Sequence, residues 1–415
     1  MKGKKWVFGF LLLTALLTIG YMAVGFYANT KGYYTKQHHL PYYYRVDYTR
    51  AIKAQYLLDH KDEYDAVVLG GSKSGSIDTD LMSEGSGLRY YNMYVNLGNY
   101  KDYLDYTRFL VEEVGIKEIT LVLSSYEVTE YDRADKGDCY ETPAILKGNL
   151  IDRVAEFLRW MLVDVNTLKK TLRSRGNKDE AIADMLIDGR RNLIREIYQY
   201  NQDPEAFTEK ALENFQERLG GLFAGVKSDP EVLSQCLDAL REMKQICDSR
   251  QVKLNVVIGA SMITERWRYE SEDYYDYISR LVRIAGQVWD FSSFNDVNMN
   301  RYNLLDPNHY DAEVADLMVN TIYGKEQHEG FGILLTEDNV FDYLAQRRAD
   351  FVKLKEEYEQ TGTIRLGTMD DPGYLPWRTQ WVSSKAGEEM FGDKWTAFME
   401  NRDGAFADPN DEELS

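Results

Sequence analysis

Residues 6 to 28, WVFGFLLLTALLTIGYMAVGFYA, run for 23 positions without a charged side chain. As a helix the run is about 34 Å long, enough to cross the hydrocarbon core of a bilayer, where a helix satisfies its own backbone and an open strand cannot. Lys2, Lys4 and Lys5 precede it. Positive charge on the near side favours an inside N-terminus and translocation of all that follows, although Lys31 and Lys36 blunt the asymmetry. The competing reading is a cleaved signal peptide with Ala23 and Gly25 as its small residues. The run exceeds a usual signal h-region, so an uncleaved anchor is expected. Nothing polar interrupts it to give a soluble core helix a wet face. The expected product is a single-pass cell-membrane protein with an extracytoplasmic main domain. Residues 1–30 form its tip and anchor and residues 31–62 a tyrosine-rich helical stalk. Tyr33, Tyr34 and Tyr42 to Tyr44 either sit at the membrane interface or pack on the domain.

The remainder has the composition of a globular chain, 44% hydrophobic and 13% aromatic with 31 tyrosines, far from that of disordered segments. A formal net charge of -19 repels phosphate backbones, and no Lys/Arg stripe interleaved with aromatics offsets it, so nucleic acid is excluded as a partner. The three cysteines, Cys139, Cys236 and Cys247, form no disulfide framework. Cys236 and Cys247 fall on one expected helix, too far apart along its axis to bridge. The five histidines are scattered, without metal-ligand spacing, and no metal or other cofactor is expected.

From residue 63 the hydrophobic period alternates between strand and helix. AVVL, LRYYN, EITLVLSS, KLNVVIG and VWDFS read as strands; NYKDYLDYTRFLVEEVG, SEDYYDYISRLVRIAG and AEVADLMVNTIYG read as helices. Alternation of this kind predicts an α/β fold with a parallel sheet. The α/β domain is expected to span 63–330 and to wrap around a helical insertion at 127–228. A C-terminal helix is expected within 331–365 and an irregular acidic tail at 366–415. The inserted helices are expected to pack over one edge of the site. Trp160 and Trp267 are candidates for an aromatic acceptor groove, although large aromatics at helical spacing are more often core.

Two stretches carry candidate chemistry. In YDAVVLGGSKSGS a short apolar run ends in Gly70-Gly71-Ser72. In an open α/β sheet ligands bind beyond the carboxyl ends of the strands, so Ser72 should project into that crevice. The two glycines would let the chain turn sharply, and a following helix N-terminus would offer amides to an oxyanion. Taken alone such a turn is only a turn, and the GxxxxGK[ST] spacing of a phosphate cradle is absent. The second stretch is DPNHY, 306–310, after the last expected strand. A nucleophilic serine needs a base within hydrogen-bond reach, and the base needs an orienting carboxylate; His309 and Asp306 supply both from one loop. The plain alternative makes Asp306-Pro307 a turn, Asp311 or Asn308 a helix cap, and His309 incidental. Asp290 of VWDFS ranks second as orienter. Convergence predicts a Ser72–His309 separation of roughly 2.6 to 3.5 Å.

A strand-ending serine turn near the start of the domain and Asp-x-x-His at its end resemble the first and last motif blocks of the SGNH hydrolase superfamily. YDAVVLGGSKS, YNMYVNLGNY, VWDFSSFNDVN, LLDPNHYDAEVADLMVNTIYG and GFGILLTEDNVFDYL, behind an N-terminal anchor, are similar to its membrane-anchored branch. That branch accompanies alginate and other exopolysaccharide O-acetylation and teichoic acid D-alanylation machinery, and the similarity covers residues 1 to about 350. The resemblance implies a flavodoxin-like three-layer parallel sheet, with Ser72 as nucleophile, His309 as general base and Asp306 as its orienter. Gly71, Asn96, Gly98 and Ser125 are the implied oxyanion and substrate-binding positions. The match is imperfect: spacing from Asn92 places the family's oxyanion glycine near Leu97, whereas the glycine here is Gly98. Ser124, Ser125 and Tyr126 stand where the superfamily has an asparagine block. Two function classes follow. One is an extracytoplasmic serine O-acyltransferase or esterase acting on cell-surface polysaccharide or teichoic acid, served by a membrane-bound acyl donor protein. The other is a catalytically silent scaffold that binds glycan or partner proteins in the same machinery.

Overall fold

The computed structural model describes residues 2–29, 49–124, 129–132, 142–174, 185–186, 188–191, 193, 196–197, 199–200, 203–213, 227–262, 269–306 and 308–377. Its strands are β1 (Ala66–Gly70), β2 (Tyr90–Tyr94), β3 (Glu118–Leu123), β4 (Lys253–Ile258), β5 (Val288–Asp290), β6 (Leu304–Asp306), β7 (His309–Tyr310) and β8 (Ile333–Leu335). Six of them form one sheet in the order β2-β1-β3-β4-β5-β8, and β6 and β7 form a separate two-stranded ribbon. The first five are parallel, and 2-1-3-4-5 is one of the common doubly wound orders. β8 runs antiparallel to β5, so the wholly parallel sheet expected from the alternation is a mostly parallel one. Three residues of β8 are too short a run to signal a strand by period; pairing with the edge of β5 creates it.

The β1 run Ala66 to Leu69 is fully buried and apolar, because helices cover both faces of the sheet. Val67, Leu69, Ile119 and Leu121 point toward helices Thr49–Asp59, Tyr100–Phe109, Pro230–Ser249 and Glu272–Ala285. Ala66, Val68, Val122 and Val257 point toward helices Thr79–Ser86 and Ala312–Ile322. Each large aliphatic side chain so buried contributes about 1.5 to 3 kcal/mol relative to exposure. Cys236 and Cys247 are both buried and unbridged in helix Pro230–Ser249, as core residues.

Three boundaries differ from expectation. Helix Thr49–Asp59 is no free-standing stalk: Ala54, Tyr56 and Leu57 belong to the core, and buried Arg50 pairs with Asp102. The start of the acidic tail is ordered against the domain: the Gly367 amide bonds the Met299 carbonyl at 2.8 Å, and Trp377 stacks on Tyr200 with centroids 4.0 Å apart. Between β3 and the 20-residue helix Pro230–Ser249 the described helices are short, among them Leu150–Arg159, Val165–Ser174 and Pro204–Ala211. Through that same stretch Asp188 and Gly189 lie against the free edge of β2, where the Asn92 amide bonds the Asp188 carbonyl at 2.8 Å. Helix Lys2–Ala28 is long and apolar enough to cross a membrane, as a span or a signal sequence would be.

Candidate active site

β1 delivers Ser72 to the carboxyl edge of the sheet, into a 3-10 turn over Ser72–Ser76. Neither glycine before it adopts a left-handed conformation; Gly71 has φ -74 and ψ -170. Gly70 is glycine for want of room, since a Cβ there would lie 2.5 Å from the Val122 carbonyl oxygen. The turn is held from several sides. The Gly71 carbonyl accepts the Ser74 amide at 3.0 Å and its hydroxyl at 2.8 Å. Asn92, fully buried in β2, donates to the carbonyls of Ser74 at 2.8 Å and Ile77 at 3.1 Å. Lys73, also buried, reaches Ser261 beyond the end of β4, Nζ to Oγ 3.0 Å. The expected helix N-terminus does not face the serine as an open amide cradle. The α-helix starts only at Thr79, and the Asp78 carboxylate already accepts the amides of Asp80 and Leu81.

DPNHY is neither an open loop nor mere punctuation before a helix. Asp306 closes β6 and His309 opens β7, paired across an antiparallel ribbon. Ser72 Oγ lies 2.8 Å from His309 Nε2. On the far side of the ring, His309 Nδ1 stands 2.9 and 2.8 Å from the two Asp306 carboxylate oxygens. An ionised carboxylate can only accept, so Nδ1 carries the proton and Nε2 is left to accept from the serine hydroxyl. The Asp306 carboxylate is itself fixed by the amides of Asn308 at 2.8 Å and His309 at 3.0 Å. Burial pushes the Asp306 carboxyl up. The hydrogen bond and charge of His309, the Asn308 amide and the more distant Arg191 guanidinium outweigh that and hold it below the usual carboxylate range. The cap role falls to a different residue, Asp311, whose carboxylate accepts the Val314 amide at 2.8 Å. The arrangement is a serine hydroxyl, an imidazole and a carboxylate in hydrogen-bonded series, spanning 237 residues of sequence between serine and histidine, the order a nucleophile, base and orienter would need.

The implied oxyanion positions fare less well. Val95 to Gly98 form a tight turn tied to the end of β1 by the Val95 amide, 2.7 Å from the Gly70 carbonyl. The Gly98 amide bonds the Val95 carbonyl at 2.9 Å, so the donor assigned to Gly98 is engaged inside the turn. Gly98 is required by packing, since a Cβ would meet the Tyr103 ring at 2.7 Å. The left-handed residue of the turn is Leu97, with φ 50, a conformation that disfavours Cβ-bearing residues. The carbonyl of Asn96 accepts Arg50 Nη2 at 2.7 Å. Ser125, Tyr126, Trp267 and Pro307 lie outside the described residues, as do Tyr33, Tyr34, Tyr42 to Tyr44, His38, His39 and Cys139.

Asp290 is not the alternative orienter. Arg347 Nη1 pairs with it at 3.0 Å, the Tyr343 hydroxyl donates to it at 2.7 Å, and Ser292 donates to it through both amide and hydroxyl. Trp160 is buried at the end of helix Leu150–Arg159 rather than displayed as a sugar platform. His60 stacks on Tyr56 and His328 contacts backbone carbonyls. Residues that spacing did not single out complete the site: Asn92 and Lys73 brace the serine turn, and the Arg191 amide bonds the Gly75 carbonyl at 2.9 Å. An asparagine inside the apolar run YYNMY was the one visible signal, because a buried polar side chain must find partners. No group of His, Cys, Asp and Glu among the described residues could hold a metal. No protein-family model matches the chain, and no curated protein is significantly similar to it.

Proposed function

We propose that this chain is an extracytoplasmic serine O-acyltransferase or esterase of SGNH type, acting through an acyl-serine on cell-surface polysaccharide or teichoic acid. The observation that carries the reading is the unbroken series Ser72, His309, Asp306 at the carboxyl edge of the sheet. His309 takes the serine proton as Oγ attacks the acyl carbonyl, then returns it to the departing alcohol or thiol. A sugar hydroxyl or water, deprotonated by the same imidazole, releases the acyl group. The apolar first helix and the lysines ahead of it support a tethered domain on the outer side, where a membrane-bound acyl donor protein and a surface glycan would both be within reach. The segment 127–228, whose Asp188 and Arg191 brace β2 and the serine turn, fits an inserted helical subdomain beside the site.

A silent scaffold is the second reading, favoured by one observation: the Gly98 amide is engaged with Val95. Absence of a single oxyanion donor typically costs about 100- to 1000-fold in rate. The deciding experiment is fluorophosphonate labelling of the full chain in detergent, with turnover of an activated acetyl ester measured in parallel. Labelling at Ser72, abolished in Ser72→Ala with the fold intact, supports the enzyme. A wild-type chain that neither labels at Ser72 nor turns over any acyl ester is a scaffold.

A further inference from the structure

Helix Leu150–Arg159 is built inside out for a protein in water. Leu150 and Ile151 are 73% and 77% exposed, and Val154, Phe157, Leu158, Leu162 and Val165 continue the same open apolar stripe. The spacing i, i+1, i+4, i+7, i+8 puts the helical members on one face. The opposite, polar face is the one turned inward: Asp152, Arg153 and Glu156 are half-buried, and the Glu156 carboxylate accepts the Ala144 amide at 3.1 Å. A soluble domain loses free energy by this orientation, because the apolar stripe stays in water while charged groups are partly desolvated.

What lies beside the stripe identifies its medium. The helix foot and the turn after it pack on the end of the N-terminal apolar helix. The Tyr21 hydroxyl donates to the Val163 carbonyl, Phe26 and Phe157 have ring centroids 6.3 Å apart, and a Cβ on Gly25 would collide with the Met161 carbonyl. Gly25 and Tyr21 precede Ala28, the last residue of that helix, by three and seven positions, about 5 and 10 Å along its axis. Residues 161–163 therefore sit at the depth to which interfacial amphipathic helices sink, about 5 to 10 Å below the headgroups. The next helix, Val165–Ser174, packs Leu168 against Ala28 at the end of the apolar helix and exposes Lys169, a cation placed to suit anionic headgroups.

We infer that residues 150–165 form a second membrane contact, a helix lying in the outer leaflet of the bilayer beside the spanning helix and holding the catalytic domain against the lipid surface. The inference rests on reading the first helix as a bilayer span and not on the chemistry of Ser72. It is tested on the full chain in nanodiscs of phosphatidylcholine and phosphatidylglycerol, with a benzophenone amino acid placed singly at Ile151, at Val154, at Leu13 in the apolar helix, and at Phe341. Phe341 is an equally bare apolar residue of the α/β domain, 63% exposed. Photolysis and mass spectrometry are expected to give lipid adducts at Leu13, Ile151 and Val154 and none at Phe341. Adducts at Leu13 with none at Ile151 and Val154 leave the span standing and overturn the interfacial helix. Crosslinks from Ile151 to a second copy of the chain overturn it in favour of a protein interface. Absence of lipid adducts at all four positions removes the span and the inference together.

Discussion

Asp290 ends β5 and Asp306, sixteen residues on, ends β6, both short strands. Asp290 is fully buried and answers a guanidinium, a phenol and a serine: its charge is matched inside a closed network with Arg347, which Glu270 also holds. Asp306 has a side chain 40% exposed and answers an imidazole whose other nitrogen faces a serine hydroxyl. Two carboxylates with the same local sequence signal thus do different work. A permanent cation makes Asp290 structural, whereas a partner that can gain and lose a proton gives Asp306 a place in the proposed proton path.

Four substitutions and conditions bear on that contrast. Asp306→Asn is expected to lower the rate of Ser72 labelling by about 10⁴-fold, because the neutral amide no longer holds the Nδ1–H tautomer. Its melting temperature at neutral pH should fall only slightly, and a large loss of stability would place Asp306 in the same class as Asp290. Asp290→Asn should do the reverse. It keeps Arg347 paired with Glu270 but weakens the acceptor that Arg347, Tyr343 and Ser292 share in the interior, a loss of about 1 to 3 kcal/mol by denaturant titration, while the folded fraction labels at the wild-type rate. A labelling defect in folded Asp290→Asn would dissolve the distinction.

Acid provides a gentler separation. The folded-state pKa of Asp306 is depressed, so its stabilising contribution is present above the unfolded carboxylate value of about 3.9 and is lost as pH falls through the lower folded value. The difference in stability between wild type and Asp306→Asn should therefore shrink as pH is lowered from neutrality into the acid range, and a difference that grows would mean the sign of the shift is wrong. The smallest effect concerns the turn beside the serine. Leu97→Gly relieves a left-handed leucine and should add about 1 kcal/mol to stability; a loss of that size would show that the leucine side chain matters more than its backbone.

The series Ser72, His309, Asp306 was legible in the sequence because each member sits where chain direction alone puts it, at the carboxyl end of β1 and in the segment that follows β5. What the residue string did not reveal depends on contacts between distant parts. β8 is a strand only because the edge of β5 is there to pair with. The ribbon of β6 and β7 needs Asp306 and His309 opposite each other, which no period announces in five residues. Arg50 could have been a surface cation on a stalk; burial against Asp102, 52 residues away, makes it a brace for the Asn96 carbonyl. Gly98 shows the opposite failure: a glycine at nearly the right spacing proved to be demanded by the Tyr103 ring and not by an oxyanion.

The 237 residues between Ser72 and His309 also impose a timetable. At roughly 5 to 20 residues per second of synthesis, the serine is made some twelve to fifty seconds before the histidine that would activate it exists. Until β4, β5 and the ribbon have followed, an unpartnered hydroxyl is a poor nucleophile, so on the proposed function the growing chain would carry Ser72 inert past every ester it meets. On the proposed function, activity would begin only with the arrival of the last tenth of the α/β domain.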